Sequence, residues 1–392
     1  MKVIMYGWEF PPVKTGGLGT ACYGLTKGLA KQGVTITFVV PFDPRSMSSP
    51  HVKLLGPEVR VCKQHSVLSP YASATVYEQR RKHLPINAEY GRHLFEEVDR
   101  YAALVSEYMD DSYDIIHVHD WMTYAAGMLA KKKVHRPLIA HIHATEYDRT
   151  AGNPNPEIAR REQEGLLAAD RVIANSNRLK QEVVSFYGVD PEKVRVVHWG
   201  LDQDDRGYAL KKVSPWKKTV LFLGRVTVQK GPDYFLQLAQ KVLKERADVH
   251  FVVVGTGDLL PQMIDSAIDA RLITSMAFTG ALSGEDVHRA FKTADVFVMP
   301  SVSEPFGLVA LEAMRHGTPC ILSKQSGVSE VVHNCFFADF WDIDRMANLI
   351  LSALQYPQVM HEISKHASNE AKRLTLDVPA AKIIKVYDEV RL

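Results

Sequence analysis

The sequence predicts an α/β protein made of two doubly wound, Rossmann-like domains with parallel sheets. In the first half, short apolar runs of the buried-strand type at residues 3–6 and 34–40 flank a helical pattern. In the second half, runs at residues 220–223 and 250–254 repeat this alternation. Strands that alternate with helices of this length form parallel sheets with right-handed crossovers, and 392 residues exceed what one core usually supports. Each half is therefore expected to build its own sheet, with a cleft between the two domains.

Composition and charge narrow the class of protein. Apolar residues make up 46% of the chain and charged residues 23%, which is typical of a soluble globular protein. The formal net charge of +2 provides no basic field, so nucleic acid is not an expected partner. The first apolar run is too short for a signal peptide, and no run reaches membrane-spanning length. We expect a soluble protein with, at most, peripheral membrane contact.

The cysteines indicate the cellular compartment. They are far apart in sequence and show no paired spacing of the zinc or redox kind. A reducing cytoplasm is therefore the expected location. The four residues are Cys22, Cys62, Cys320 and Cys335.

Changes in pattern suggest the domain boundaries. The charged, aperiodic stretch 201–218 is interpreted as a linker between a first domain at residues 1–200 and a second at residues 201–370. The closing helical pattern, residues 359–390, is longer than the second sheet needs. Its last part, residues 371–392, is expected to cross back onto the first domain.

The segment at residues 300–319 combines a loop with the start of a helix. Proline lacks the donor N–H group and glycine favours irregular backbone, so Pro305 and Gly307 place Glu304 in a loop. Apolar residues recur at helical spacing from Leu308, which makes Glu312 a carboxylate in the middle of a helix.

The start of this predicted helix is a candidate anion site. The first N–H groups of a helix have no partner within it, and they favour an anion such as phosphate. The amides concerned follow Pro305, at Phe306, Gly307 and Leu308. One short segment thus offers amides for a phosphate beside carboxylates for hydroxyl groups.

The loop after the first strand is a candidate ligand loop. Residues 7–18 form a long connection for a strand–helix unit, and they include Lys14, Gly16 and Gly17. An ordinary surface loop with turn glycines is the alternative interpretation. A second irregular stretch, residues 43–92, is interpreted as loops.

Two predicted strands end in histidine pairs. Strand alternation places His117 and His119 on one face, and His141 and His143 follow in the same way on the next strand. Asp120 directly follows the first pair, and we expect it to cap the next helix. Two such pairs could bind zinc or iron. The alternative, which we favour, is that no metal binds and the imidazoles contact a ligand at the carboxyl ends of parallel strands.

Cations and glycines follow the strands of the second half. Arg225 and Lys230 come after the run at residues 220–223, where they could neutralise the charge that develops on a diphosphate leaving group. A solvated pair of surface cations is the alternative. Gly255 and Thr256 follow the next strand and indicate close backbone approach to a nucleotide.

A dinucleotide-binding site is a competing interpretation that the glycine spacing disfavours. The fingerprint needs glycines directly after the first strand. Gly17 and Gly19 come ten residues late, and Cys22 occupies the position of the third glycine.

These motifs together resemble retaining glycosyltransferases of the GT-B fold, in family 4, with strong likeness to glycogen and starch synthases. The segment SEPFGLVALEAM matches the family's Glu-x7-Glu motif at Glu304 and Glu312. GRVTVQKG matches its Arg and Lys diphosphate clamp, and EFPPVKTGGLG matches the lysine–glycine loop of glucan synthases. HVHDW matches their sugar-site histidine. The resemblance covers nearly the whole chain.

The resemblance implies a role for each matching position. Arg225 and Lys230 would hold the diphosphate together with the amides after Pro305. No metal or other cofactor is implied, because the nucleotide-diphosphate sugar is itself the donor substrate. The further expected contacts are Glu304 and His119 with the donor sugar, Glu312 with the ribose, Gly16 and Gly17 with the diphosphate, and Lys14 near the donor.

The expected reaction is transfer of a hexosyl group, glucose, to a glycan acceptor, with an α-glucan as the leading class. Two departures bear on the acceptor: Thr20 stands where bacterial glucan synthases usually carry Asp, and Glu312 is shared with family 4 rather than with those enzymes. Transfer to a small molecule, a cell-surface polysaccharide or a lipid-linked sugar is the alternative. A protein that binds nucleotide sugars without catalysis is a third, of a different class.

Overall fold

The chain folds into two compact units. The computed structural model describes residues 1–13, 16–45, 47–57, 94–202 and 216–391. The first unit comprises the described residues of Met1–Tyr147 and Pro154–Trp199 and those from Leu376 onward; the second comprises Asp148–Asn153 and the described part of Gly200–Thr375. Lys14, most of the predicted linker and most of the loops predicted for residues 43–92 lie outside the described residues.

The first unit contains a seven-stranded sheet in which every pair of neighbouring strands is parallel. Its order is β3-β2-β1-β4-β5-β6-β7, so the strand order reverses between β1 and β4. The strands are β1 (Lys2–Tyr6), β2 (Thr35–Val39), β3 (Lys53–Leu55), β4 (Ile115–His119), β5 (Leu138–Ile142), β6 (Arg171–Ala174) and β7 (Val194–Val196).

Helices cover the first sheet, and its central strands are buried. β4 and β5 are buried along their whole length, including their histidines, because helices cover both faces of a parallel sheet. The helices in the first part of the chain are α1 (Gly17–Lys31), α2 (Leu94–Ser106), α3 (Trp121–Val134), α4 (Glu146–Arg149), α5 (Pro156–Ala168) and α6 (Asn177–Tyr187).

The second unit contains a six-stranded parallel sheet with the order β10-β9-β8-β11-β12-β13. Here the strand order reverses between β8 and β11, which are neighbours in the sheet. The strands are β8 (Lys218–Leu223), β9 (Val249–Val254), β10 (Met276–Gly280), β11 (Val296–Met299), β12 (Cys320–Ser323) and β13 (Phe336–Ala338).

In the described part of the second unit, six α-helices precede one last helix, α13 (Asp377–Val390), which belongs to the first unit. Among the described helices, none is long and apolar enough to cross a membrane. The helices of the second unit are α7 (Pro232–Glu245), α8 (Leu260–Asp269), α9 (Glu285–Thr293), α10 (Leu308–Arg315), α11 (Ile343–Gln355) and α12 (Pro357–Arg373).

The prediction of one continuous helical run over residues 359–390 is wrong, because the run is divided between α12 and α13. Thr375 lies in the break and forms a bridge with Leu201. Pro379 supplies the physical reason: proline fits only the first turn of a helix, since its ring would clash with a carbonyl four residues earlier. A helix must therefore begin close before Pro379.

Within the first unit, α13 packs against α1 at a position where only glycine fits. A Cβ atom on Gly28 would lie 2.8 Å from the carbonyl oxygen of Leu376. The close approach brings Tyr387 of α13 into the core, where its hydroxyl group lies 2.6 Å from Nδ1 of His117.

Helices α5 and α3 also pack closely at a glycine, and a substitution at this glycine tests the packing. A Cβ atom on Gly165 would lie 2.3 Å from the buried ring of Tyr124. We expect Gly165→Val to lower the free energy of unfolding by about 2 kcal/mol or more, because overpacking forces the two helices apart. Urea-induced unfolding followed by circular dichroism measures the change.

Leu167→Val in the same helix is the matched control, because Leu167 is exposed. It should change the free energy of unfolding by less than about 0.5 kcal/mol. Equal stabilities of the two variants would contradict the assigned packing of α5 on α3.

Candidate active site

The polar residues of the second unit gather where its strand order reverses. Arg225 and Lys230 lie in the connection that follows β8, and Glu304 lies in the connection that follows β11. Because β8 and β11 are parallel neighbours, both connections leave the same edge of the sheet. Open α/β sheets bind ligands at this point, where the connections run in opposite directions and leave a crevice.

Lys230 and Glu304 form an ion pair at this point. Nζ of Lys230 lies 2.5 Å from Oε2 of Glu304, and the two side chains are 19% and 8% exposed. Gly231 makes the contact possible: its φ is +68°, and a Cβ atom there would lie 2.1 Å from the carbonyl oxygen of Pro300. The connections after β8 and β11 therefore touch through their backbones, which brings the cation and the carboxylate together.

Glu304 is held by its backbone on both sides. Its N–H group donates to the carbonyl oxygen of Gln325 at 2.9 Å, and its carbonyl oxygen accepts from the N–H group of Gly327 at 2.9 Å. The prediction that Glu304 lies outside a helix is confirmed. These two bonds hold the backbone of Glu304 in a short strand-like bridge, from which its side chain extends.

The residue before Glu304 makes a contact that the sequence analysis missed. The hydroxyl group of Ser303 donates to the carboxylate of Asp148, and both side chains are buried. Asp148 comes far earlier in the chain, in the short segment Asp148–Asn153 that belongs to the second unit. In the sequence, Asp148 comes shortly after the second histidine pair, and this position does not indicate a contact with Ser303.

The helix after Glu304 begins as predicted at Leu308. Gly307 occupies the N-cap position with a φ of +107°, and its lack of a side chain leaves the first amides without a side-chain cap. Phe306 is buried, whereas Glu312 is half-buried one turn into α10. The structure therefore brings Pro305, Phe306, Gly307 and Leu308 to the same sheet edge as Lys230 and Glu304.

Gly255 and Thr256 make close backbone contacts within the protein itself, whereas the sequence analysis expected a close approach to a nucleotide. A Cβ atom on Gly255 would lie 1.8 Å from the carbonyl oxygen of Gly224, and the carbonyl oxygen of Thr256 accepts from the N–H group of Val226 at 2.9 Å. The close approach is therefore between the connections that follow β8 and β9. It supports the backbone on either side of Arg225.

In the first unit, Gly16 and Gly17 begin α1 directly beyond the loop that follows β1. Gly17 is exposed, and a Cβ atom on it would meet no heavy atom of the described chain within 4 Å. The described chain therefore leaves space beside the Cα atom of Gly17, whereas in the first turn of α1 the N–H group of Gly19 donates to the carboxylate of Glu9 at 3.3 Å.

His119 lies in a stack of aromatic rings at the end of β4, beside the point where the first sheet reverses its order. The ring centroids of His117 and His119 are 4.4 Å apart, and those of His141 and His143 are also 4.4 Å apart. Nδ1 of His119 lies 3.0 Å from Nε2 of His143, and Trp199 stacks on His141. Strand alternation thus brings the two predicted pairs together, and His119 is fully buried.

The prediction that Asp120 caps a helix beginning at Trp121 is confirmed for its position and wrong for its side chain. Asp120 occupies the N-cap position of α3, but its side chain makes no capping hydrogen bond to that helix. Its carboxylate instead accepts from the backbone N–H group of His143 at 2.7 Å. The neighbouring connection after β5 competes for the carboxylate, and it places Asp120 between the two histidine pairs.

Burial controls the charge of these imidazoles. It lowers the pKa of His117, His119 and His141 well below the usual value of 6.5, and the neighbouring imidazoles lower the pKa further. The folded protein therefore holds all three rings neutral at physiological pH. Neutral rings can stack closely without repulsion.

Comparison with known families shows what kind of protein this fold and site belong to. Residues 15–205 match the family described as Glycosyltransferase Family 4, and residues 210–372 match Glycosyl transferases group 1. An uncharacterized glycosyltransferase of Methanocaldococcus jannaschii is 31% identical over 347 residues, which cover 85% of this chain and 83% of the relative. The chain belongs to the family 4 glycosyltransferases.

Two more relatives carry named activities. A glycogen synthase of Mycobacterium tuberculosis is 26% identical over 85% of this chain and 80% of its own length. A D-inositol 3-phosphate glycosyltransferase of Paenarthrobacter aurescens is 29% identical over 81% of this chain and 78% of its own length.

Solved structures confirm the predicted GT-B fold. Sucrose-phosphate synthase from Thermosynechococcus elongatus has a TM-score of 0.78 and 18% identity, and covers 99% of this chain and 98% of its own. Anabaena HepE in complex with UDP and glucose has a TM-score of 0.73 and 19% identity, and covers 99% of this chain and all of its own. At these identities the likeness concerns the fold alone.

The buried imidazoles predict how stability depends on pH. Because their pKa values are lowered in the folded state, the unfolded chain binds more protons below pH 6.5 and stability falls as the pH drops. The three rings together should contribute a slope of up to about 4 kcal/mol per pH unit below pH 6.5. Urea unfolding at several pH values between 5 and 8 measures it.

Two variants test whether the histidine stack causes this dependence of the free energy of unfolding on pH. His141→Phe keeps an aromatic ring but cannot protonate, so it should lower the slope by about one third, since one of three titrating rings is lost. His361→Gln, at an exposed histidine, should leave it unchanged. An unchanged slope in His141→Phe would show that the stack is not its source.

Proposed function

We propose that this glycosyltransferase moves a glucosyl group from a nucleotide-diphosphate sugar to a glycan acceptor, an α-glucan, with retention of anomeric configuration and without a metal ion. The observation that carries the proposal is the partly buried ion pair of Lys230 and Glu304 beside the start of α10. A cation, a carboxylate and helix-start amides at one sheet edge suit a ligand that is part diphosphate and part sugar.

The diphosphate is proposed to bind between the connection after β8 and the start of α10. Breaking the bond to the sugar leaves additional negative charge on the diphosphate, and Lys230 and Arg225 are placed to stabilise it. The guanidinium group offers two parallel hydrogen bonds, and the ammonium group acts as a point charge. The amides after Pro305 add donors that require no reorganisation.

The carboxylates are proposed to position the rest of the donor. Glu304 accepts hydrogen bonds from sugar hydroxyl groups, and Glu312 on α10 accepts those of the ribose. In this proposal the ion pair holds the Glu304 carboxylate in place before the donor arrives, because Lys230 restricts its rotation. We further propose, from the resemblance to glucan synthases, that Gly16 and Gly17 bind the diphosphate through their backbone, that Lys14 takes part in donor binding, and that His119 binds the sugar.

The transfer step is proposed to occur on one face of the sugar. The bond between the anomeric carbon and the diphosphate oxygen breaks, and a bond from the acceptor hydroxyl oxygen to that carbon forms on the same side. The leaving phosphate oxygen takes the hydroxyl proton, so atoms and charge balance without a separate base. Lys230 and Arg225 favour this step because they stabilise the negative charge of the leaving group.

The choice of an α-glucan rests on the lysine–glycine loop and on the similarity to a glycogen synthase. The similarity to a D-inositol 3-phosphate glycosyltransferase supports a second candidate, transfer to a small phosphorylated acceptor. Acceptor specificity therefore has to be measured with both classes side by side.

An assay with purified protein tests the reaction. Each of UDP-, ADP- and GDP-glucose is combined with malto-oligosaccharide or with inositol phosphate, and both nucleoside diphosphate release and acceptor mass are measured. We expect release with one donor, a mass gain of one hexose on the malto-oligosaccharide, and an α-linkage by NMR. Chelator should leave the rate unchanged.

Each outcome separates the hypotheses. Mass gain on inositol phosphate alone would move the assignment to the small-acceptor class. Donor binding without release in any combination would favour a binding protein without catalysis. A β-linked product would exclude the retaining step.

Single substitutions test the site. Lys230→Ala and Glu304→Ala should each lower turnover by about a hundredfold or more, the scale of losing one preorganised charge stabiliser. Initial rates at saturating donor, with circular dichroism to check folding, measure the effect. Lys241→Ala is the matched control, because it removes an exposed cation from α7 in the same unit. Near-normal turnover in both site variants would refute the assignment.

A further inference from the structure

The histidine stack of the first unit contains several buried ring nitrogens without a hydrogen-bond partner. Within the described part of the chain, Nε2 of His117, Nε2 of His119 and both ring nitrogens of His141 are buried and unpaired. All three side chains are fully buried. One potential ligand nitrogen from each residue lies within 4.8 Å of the others.

This concentration of unpaired polar atoms needs a physical explanation. A buried polar atom left without a partner costs about 1–3 kcal/mol, and native proteins contain only a few such atoms per hundred residues. Four of them on three neighbouring rings point to a shared partner. An ion bound among the rings would satisfy one nitrogen of each ring at once.

The remaining ring nitrogens are already held in the way that metal-binding histidines require. Nδ1 of His117 lies 2.6 Å from the hydroxyl group of Tyr387, and Nδ1 of His119 lies 3.0 Å from Nε2 of His143. When each Nδ1 carries the proton and donates it in these bonds, each Nε2 presents a lone pair. Such outer partners set the tautomer and orient the ring in known metal sites.

The distances decide how much adjustment an ion would need. Three ligands bound at about 2.0–2.1 Å in tetrahedral geometry lie about 3.3 Å apart, whereas the candidate nitrogens lie within 4.8 Å of one another, so any separation above about 3.3 Å would have to shorten. The rings of His117 and His141 are also nearly parallel, at 11°. Rotation about χ2, which is broad for histidine, turns their lone pairs inward, and the hydroxyl group of Tyr387 has to move with Nδ1 of His117 to keep its hydrogen bond.

Buried carboxylates near the stack can balance the charge of an ion. Asp120 follows His119 in the chain and bonds to the backbone of His143. Glu9 is also buried. Burial raises the pKa of the Cys22 thiol, and the charges of Asp120 and Glu9 raise this pKa further. Cys22 itself belongs to a second possible group of ligands with His119 and His143. That group is the weaker candidate, because the His119–His143 hydrogen bond already occupies two of its nitrogens.

We propose that His117, His119 and His141 bind one divalent transition metal ion of the zinc class. Three neutral imidazoles suit zinc and its neighbours, whereas magnesium and calcium prefer oxygen ligands. Three protein ligands leave a fourth position for water or another small ligand. The site goes beyond the proposed transfer reaction, which needs no metal. Because His119 serves both, the bound ion and a donor sugar at His119 exclude one another.

Metal binding by the full-length, untagged protein tests the proposal directly. The chelator-treated protein is titrated with zinc sulfate by calorimetry, and cobalt(II) is added separately to record the visible absorption of a tetrahedral complex. We expect one equivalent of zinc at micromolar affinity or better, and a cobalt spectrum that zinc abolishes. Absence of stoichiometric zinc binding in the unmodified protein would overturn the proposal.

Two variants distinguish the site from adventitious binding. Tyr387→Phe removes only the hydroxyl group beside His117 and should weaken zinc binding about 10- to 100-fold, the usual effect of losing an outer partner. His141→Ala removes a ligand and should weaken it further. His288→Ala, in the His288–His316 pair of the second unit, is the matched control and should bind zinc normally. Equal affinity in all three variants would overturn the assignment.

This outcome is independent of the transfer assay. Zinc binding without transferase activity would support the metal site and reject the proposed reaction. Transferase activity without zinc binding would support the proposed reaction and reject the metal site. If both hold, zinc should inhibit transfer in the unmodified protein and chelator should restore it.

Discussion

The parallel direction of the strands is the constraint on which the rest of the structure depends. Every pairing between the described strands of both sheets is parallel, so all carboxyl ends within a sheet lie at one edge. In each sheet the order reverses once, between β1 and β4 and between β8 and β11. The residues at or beyond the ends of these strands include Gly16, Gly17 and His119 in the first unit, and Arg225, Lys230 and Glu304 in the second. The topology therefore selects which polar residues can act together.

Close backbone contacts hold the polar groups in place at these edges. In the second unit, Gly231 and Gly255 allow the connections after β8, β9 and β11 to touch, and the Lys230–Glu304 pair rests on that contact. In the first unit, Asp120 joins the two connections that carry the histidine pairs. Buried charges and imidazoles are costly without partners, so their partners come from neighbouring connections. The unpaired nitrogens of the histidine stack depart from this rule as a group, because they lie on three neighbouring rings.

Much of the fold and part of the candidate site could be predicted. The period of the apolar residues indicated the strands and most helices, and Pro305 and Gly307 indicated the start of α10 at Leu308. The side chain of Asp120 does not cap its own helix as expected, because its carboxylate accepts a hydrogen bond from the backbone N–H group of His143, 23 residues later in the chain. Asp148 was missed because its partner, Ser303, is 155 residues away. The prediction of one continuous last helix was wrong because it followed the periodic pattern of apolar residues and did not take account of Pro379, which requires a helix to begin close before it.

By itself, the sequence determined the alternation of strands and helices, the family, and the residue types available for phosphate and sugar. These follow from local pattern and from motifs that are contiguous in the chain. Only the tertiary structure decided that Lys230 pairs with Glu304, that Tyr387 reaches His117, and that the two histidine pairs form one buried stack. These contacts join residues far apart in sequence, and they depend on strand order and on the closeness that glycine permits. Neither property can be read from the spacing of residues along the chain.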